Sequence, residues 1–220
     1  EPHVRGAHGV AIEADLSISE VYSADAIALV LPGGLPGVTN LEGSQRLRQL
    51  IQEANQEGKL LCAICAAPSV YGKAGLLEGK EAIAYPGFEG HLHGATVSAQ
   101  PVVRSANFIT AKSAGYTFDF ALAIIEALQG KAKADEVQAA ADKVKEALKG
   151  TDTDAIKKAT EELEKPLYEM SAAAYQQAGG PEAAAGAGAA PGAGAADAGA
   201  KSEDDNVVDA EYTEVKDDKK

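Results

Sequence analysis

The sequence predicts an α/β fold, a parallel sheet sandwiched between helices, with a helical extension behind it. Three observations carry this expectation. The apolar run Lys59-Leu-Leu-Cys-Ala-Ile-Cys65-Ala-Ala-Pro68 stops abruptly at a cysteine followed by small residues. A second run, Ala24-Asp-Ala-Ile-Ala-Leu-Val-Leu31, ends in Pro32-Gly33-Gly34. Short apolar runs of this kind alternate along the chain with stretches of helical spacing, as strands and helices do in α/β proteins.

Taken in order, Gly9 to Ile12 and Ile27 to Leu31 are expected as strands. Leu41, Leu47, Leu50 and Ile51 recur at helical spacing, and Gly58 stops that helix. Leu60 to Ile64 is a buried strand, and Ala66 to Leu77 the helix behind it. Ala82 to Ala84, Thr96 to Ser98, Val102 to Arg104 and Phe108 to Thr110 are expected as short strands. Gly115 to Leu128 reads as a helix with Phe118, Leu122 and Ile125 facing inward, ended by Gly130.

Composition changes near Lys131 to Gln138, and the expected first domain covers residues 1–134. Residues 135–178 read as an amphipathic helical hairpin that needs a partner surface. Val144 and Leu148 mark one helix, and Ile156, Ala159, Leu163, Leu167, Met170 and Ala174 continue an apolar stripe. Thr151-Asp-Thr-Asp154 offers a cap between them. Pro166 is expected to break or kink the second helix, or to start a new one. Residues 179–220 are an Ala/Gly/Pro-rich linker and an acidic tail, which bury too little side chain to offset ordering entropy.

The chain has 220 residues and a formal net charge of -13, which argues against nucleic acid and against anionic membranes as partners. No apolar run approaches membrane-spanning length. Two cysteines without a visible secretory signal point to a reducing cytoplasm.

The chemistry centres on Cys65. A cysteine at a sharp strand-to-helix turn has its side chain exposed at the carboxyl edge of the sheet. The amides that open the next helix lie close by, and their partial positive charge complements an anion. An isolated cysteine is more commonly a small buried core residue; the setting shifts the balance. Gly33 and Gly34, just past another strand, allow a tight turn and close approach of backbone amides to a ligand. Cys62 and Cys65 form a C-x-x-C pattern, but three residues of strand span about 10 Å while bridged Cα atoms lie within about 7 Å, which argues against a redox pair. Cys62 is expected to point into the sheet packing. His91 and His93 alternate as strand neighbours would, but no further His or Cys nearby completes a metal site; two histidines near a surface turn are the better reading, and no metal and no cofactor are expected.

Leu31-Pro-Gly-Gly34, Cys62-Ala-Ile-Cys-Ala-Ala-Pro68, Tyr85-Pro-Gly-Phe-Glu89 and Ile109-Thr-Ala-Lys-Ser-Ala-Gly-Tyr-Thr-Phe-Asp-Phe-Ala-Leu122 stand in an order that resembles the DJ-1/ThiJ/PfpI superfamily, from about Gly9 to Gly130. The resemblance implies a flavodoxin-like sandwich, Cys65 as nucleophile, and an anion pocket from Gly33, Gly34 and the amide of Ala66. It also implies a homodimer, and a small reactive carbonyl or a glycated protein as partner. Two departures matter. Glu1 aligns only after the superfamily's first strand and helix, which carry a glutamate that hydrogen-bonds the cysteine. A truncated sheet is therefore expected, with an inner strand missing, two unpaired edges and a hole in the core. Tyr85 stands where some members carry a histidine. It is a site neighbour, but a phenol is a poor general base near neutrality.

Ala147-Leu-Lys-Gly-Thr-Asp-Thr-Asp-Ala-Ile156, Leu167-Tyr-Glu-Met170, Ala174-Tyr-Gln-Gln177 and Asn206-Val-Val-Asp-Ala-Glu-Tyr-Thr-Glu-Val215 resemble the lid end and tail of the bacterial DnaK chaperone, over about Val144 to Lys220. That resemblance implies an appendage for unfolded-protein clients, without ATPase activity. The chain then reads as a fusion or chimera. The expected function is a cysteine-dependent stress protein of glyoxalase or deglycase type, a hydrolase or lyase. The alternatives are a redox-sensing or chaperone-type module and a DnaK-like C-terminal fragment.

Overall fold

The computed structural model describes residues 3–6 and 8–177. In chain order the strands are β1 (His3–Arg5), β2 (Ala11–Glu13), β3 (Ala28–Leu31), β4 (Leu60–Ile64), β5 (Glu81–Ala82), β6 (Thr96–Val97), β7 (Val102–Ser105) and β8 (Phe108–Ala111). The helices are α1 (Gly37–Gly43), α2 (Gln45–Gln56), α3 (Pro68–Lys73), α4 (Thr117–Gln129), α5 (Lys131–Ala147) and α6 (Thr153–Gln177). The fold is α/β, as the alternation of elements predicts.

The main sheet runs β3-β4-β8-β7. β3, β4 and β8 are parallel, with Val30 opposite Cys62 and Cys62 opposite Ile109, while β7 returns antiparallel to β8. The strands of this sheet follow one another without a gap. β3 forms one edge, with β4 as its sole strand partner among the described residues, and its Val30 is 49% exposed. β1 and β2 pair as a separate hairpin whose Val4 and Ile12 are exposed.

β4 is covered on both faces, which is why it reads as a continuous apolar run. Leu61 and Ala63 enter one core with Leu31, Leu47, Ile51, Tyr71 and Phe108. Leu60 and Cys62 enter the opposite core with Ile109, Ala111 and Phe120. The side chains alternate between these clusters as the period of two requires.

Several elements differ from the sequence expectation for identifiable reasons. The helix expected to run to Gly58 is split, because Ser44 leaves helical geometry and its Oγ caps α2 through the Leu47 amide at 3.2 Å. α3 ends at Lys73, well short of Leu77, although Leu77 is still buried. β5 and β6 cover only part of the expected strands and pair with each other, parallel, in a small separate sheet. His91, by contrast, lies on an exposed 3-10 turn, Glu89–His91, in line with the surface-turn reading of the two histidines.

α4 was expected to turn Phe118, Leu122 and Ile125 inward. Ile125 is buried, but Phe120 is the buried aromatic at 5% exposure, whereas Phe118 is 36% exposed. The reason is that α4 is a shared layer. Phe120, Ala123, Ile124 and Leu128 pack on the sheet, while Leu122 and Ile125 pack outward against Ala134 and Val137 of α5 and Leu163, Leu167 and Met170 of α6. Phe118 lies beside this seam, with Lys145 Nζ 4.6 Å from its ring centroid. The outer face of α4 is thus the partner surface that the helical hairpin needed. Gly130, at φ 87°, ends α4 in the left-handed region open to glycine. α6 runs on through Pro166 as one helix. The expected linker and acidic tail, residues 179–220, lie outside the described residues. Among the described residues no helix is long and apolar enough to cross a membrane.

Phe120→Ala is expected to cost about 3 kcal/mol of unfolding free energy. Phe118→Ala, which loses an exposed ring and one cation–π contact, is expected to cost no more than about 1 kcal/mol. Urea denaturation of the two variants checks the order.

Candidate functional site

β4 delivers Cys65 to the carboxyl edge of the sheet. The residue sits at φ 65°, in the left-handed region, a conformation that costs a non-glycine residue about 1–3 kcal/mol and is held only where surroundings enforce it. Two backbone hydrogen bonds enforce it here. The Cys65 N–H donates to the Ala111 carbonyl at 2.8 Å, which continues the β4–β8 ladder. The Tyr85 N–H donates to the Cys65 carbonyl, also at 2.8 Å. The segment before Tyr85 is itself tied down, since the Ile83 N–H donates to the buried Thr110 Oγ1 at 3.0 Å. Tyr85 is therefore a true neighbour of the elbow through its backbone, while its ring is largely exposed.

Below the elbow, Tyr71 locks β4. Its hydroxyl donates to the Cys62 carbonyl at 3.1 Å, and its ring meets Phe108 edge-on at 5.5 Å. Burial, aided by Cys62, pushes the Tyr71 phenol well above its usual range. Cys62 is 0% exposed, and burial pushes its thiol up to about 12. Both cysteines are free; Cys65 is half-buried and Cys62 buried. The two thiols of the C-x-x-C pattern thus have opposite settings, one at the site and one in the packing, as the period of two implied.

The Gly33–Gly34 loop closes over the cysteine. A Cβ on Gly33 would stand 2.6 Å from Cys65 Cβ, 2.8 Å from the Ile64 carbonyl oxygen and 3.3 Å from Cys65 Sγ. Only glycine permits that approach. Gly34 is at φ 92°, and its carbonyl accepts from the Val38 N–H to open α1. Among the described residues, neither the Gly34 nor the Ala66 N–H donates to a protein acceptor. Gly33, Gly34, Cys65, Ala66 and Tyr85 are therefore brought to one corner of the sheet by the ends of β3 and β4 and the Tyr85 segment.

Sequence reasoning missed a polar group behind this corner. Glu42, near the end of α1, accepts from Ser69 Oγ at 3.0 Å and from Lys73 Nζ at 2.8 Å on each oxygen. Partial burial raises the Glu42 carboxyl, but the bonds from Lys73 and Ser69, with the charges of Lys73 and His91, outweigh it and hold the group below its usual range. No periodicity or motif links residues so far apart in the chain. His91 packs edge-on against Phe88, with ring centroids 6.0 Å apart. Among the described residues no group of three or more His, Cys, Asp or Glu side chains could hold a metal ion.

With this geometry in view, comparison with known proteins is specific. A family model described as DJ-1/PfpI family matches residues 1–127. Protein DJ-1 homolog A of Arabidopsis thaliana is 38% identical over 137 residues, covering 61% of this chain and 35% of that protein. Protein dj-1beta of Drosophila melanogaster is 37% identical over 136 residues, covering 61% of this chain and 73% of that protein. The chain thus spans about a third of the Arabidopsis protein's length. Among solved structures, oxidized DJ-1 of Toxoplasma gondii superposes with a TM-score of 0.57 at 33% identity, covering 63% of this chain and 76% of that one. These matches give no support to the DnaK-like reading of residues 144–220 or to a fusion.

Two outcomes follow from the geometry. Gly33→Ala is expected to displace the elbow, costing about 2 kcal/mol of stability and slowing Cys65 alkylation, measured by denaturation and mass-resolved labelling. Cys62 should resist alkylation in the folded chain. Its raised value also fixes a sign: between the ordinary 9.0 and about 12, the unfolded chain loses this proton and the folded chain keeps it, so stability falls as pH rises through that window. Tyr71 adds in the same direction. The fall should be shallower in Cys62→Ala when denaturation midpoints are followed against pH.

Proposed function

The chain belongs to the DJ-1/PfpI family, and from that premise we propose that it is a cysteine-dependent stress protein acting on reactive aldehydes or glycated groups. The Cys65 thiolate adds to the electrophilic carbonyl carbon. The C–S bond forms as the C=O π pair moves to oxygen, and the alkoxide takes its proton from water. The Gly34 and Ala66 amides hold that oxygen while charge develops on it. The adduct's carbon-bound hydrogen then passes as a proton to the neighbouring ketone carbon, giving a 2-hydroxyacyl thioester; water adds to that thioester, the C–S bond breaks, and the 2-hydroxy acid leaves as the thiolate is returned. What supports this reading is one observation: a half-buried cysteine at φ 65° with Gly33 packed against it, the next residue after each, Gly34 and Ala66, having an N–H with no protein acceptor among the described residues. A homodimer, a cytoplasmic setting, and a small carbonyl or glycated protein as partner belong to the same proposal.

A second reading has its own support. The Toxoplasma relative was solved in a form described as oxidized. Cys65 would then serve as a redox sensor, its thiolate attacking peroxide to give a sulfenate and water. This step needs no general base, which suits a site whose neighbour is Tyr85.

Cys65→Ala is expected to abolish turnover of methylglyoxal, followed by its disappearance. Unchanged turnover discards the nucleophile. Peroxide oxidation confined to Cys65, with no carbonyl turnover in the unsubstituted chain, selects the sensor.

A further inference from the structure

The two amides of the anion pocket stand on different elements. Gly34 lies in the loop that leads into α1, and Ala66 in the turn that leads into α3. Their separation is therefore a tertiary quantity, fixed by whatever holds α1 to α3. Among the described residues the polar connection between those helices is a single carboxylate. Glu42 near the end of α1 accepts from Ser69 Oγ at 3.0 Å and from Lys73 Nζ at 2.8 Å, both on α3. Ser69 is fully buried, and its Oγ also lies 2.8 Å from the Ala66 carbonyl oxygen. Its one proton is shared between these two acceptors, so the Ala66 carbonyl, on the far side of the same Cα as the Ala66 N–H, and the Glu42 carboxylate are held by the same hydroxyl. On the α1 side the Glu42 peptide is pinned as well, since Arg48 Nη1 donates to its carbonyl at 2.6 Å.

We propose that Glu42 is a positioning residue for the Cys65 site, clamping α1 to α3 through Ser69 and Lys73 so that the Gly34 and Ala66 amides converge on one anion. The inference rests on reading those amides as the anion pocket. Glu42 touches neither the thiol nor the reacting carbon. It acts by fixing the Ala66 carbonyl, and through it the backbone of the residue whose N–H faces the pocket, against the helix that follows Gly34. A carboxylate suits this place because it accepts two donors at once, and Lys73 neutralises it. An ion pair exposed at a surface contributes little to stability, so the clamp's effect is geometric: a shift of an ångström or less between two donors weakens the hold on a developing charge.

The test compares the rates at which Cys65 is alkylated by iodoacetate, an anion, and iodoacetamide, its neutral counterpart, in the full chain with mass-resolved detection. The ratio of the two rates reports the pocket, and the same ratio in the urea-unfolded chain is the baseline. The folded chain should favour iodoacetate relative to that baseline. Glu42→Ala should lower the ratio about tenfold, toward the baseline. Glu42→Gln keeps an acceptor for Ser69 and should retain most of the preference. If the unsubstituted chain shows only the baseline ratio, the pocket reading itself fails and takes this proposal with it. If that chain shows the preference and Glu42→Ala keeps it, the pocket stands and Glu42 has no positioning role. A fall in both rates with an unchanged ratio also overturns the proposal, because it marks a merely structural effect. Should Glu42→Ala fail to fold by circular dichroism, Ser69→Ala removes the shared hydroxyl while sparing the ion pair. It is expected to lose the preference, and an unchanged ratio there overturns the proposal equally.

Discussion

The site depends on two backbone hydrogen bonds that hold one residue in the left-handed region. Cys65 at φ 65° pays a conformational penalty, and its N–H to the Ala111 carbonyl and its carbonyl to the Tyr85 N–H offset it. The first bond makes Cys65 the continuation of the β4–β8 ladder. The second draws in the segment after β5, which is fastened in turn by Ile83 to Thr110. Both bonds require β4 and β8 in register, and that register is set by apolar packing on each face of the sheet. The strain at the thiol is thus supported by two hydrophobic clusters, one through Tyr71 and Phe108 and the other through Cys62, Ile109 and Phe120.

The same geometry separates two chemically equivalent side chains. Cys62 and Cys65 are three positions apart, yet one is a core residue whose thiol stays neutral to about 12, and the other stands half-buried at an edge. Alternation along a doubly covered strand takes Cys62 into the packing. The turn at Cys65 ends that alternation and releases its side chain from the sheet. Gly33 then limits what else can sit over the sulfur, because any Cβ there would collide with the cysteine and with the Ile64 carbonyl.

α4 shows how one helix can serve two cores. Its inner face closes the sheet over Cys62 and Ile109, and its outer face receives α5 and α6. A helix that is apolar on two sides leaves its edge positions half exposed, and Phe118 occupies one of them. From a single apolar stripe, Phe118, Leu122 and Ile125 look equivalent. The presence of two partners turns Phe120 to the sheet and Ile125 away from it.

The sequence by itself determined what local rules control. The continuous apolar run of β4, the cysteine at its end, the glycines after β3 and the glycine that stops α4 are each dictated by backbone sterics or by burial on both faces. The position of the elbow and the core placement of Cys62 followed from those rules, while the packing of Gly33 over Cys65 is a tertiary contact. Tertiary structure decided the rest. The split at Ser44 reflects a side-chain cap that competes with helix continuation. The edge status of β3 follows from which strands pair, which periodicity does not encode. The meeting of Glu42 with Ser69 and Lys73 depends on how two short helices lie against one sheet. A hydrogen bond between residues distant in the chain leaves no spacing pattern, because its geometry exists only after the core has packed.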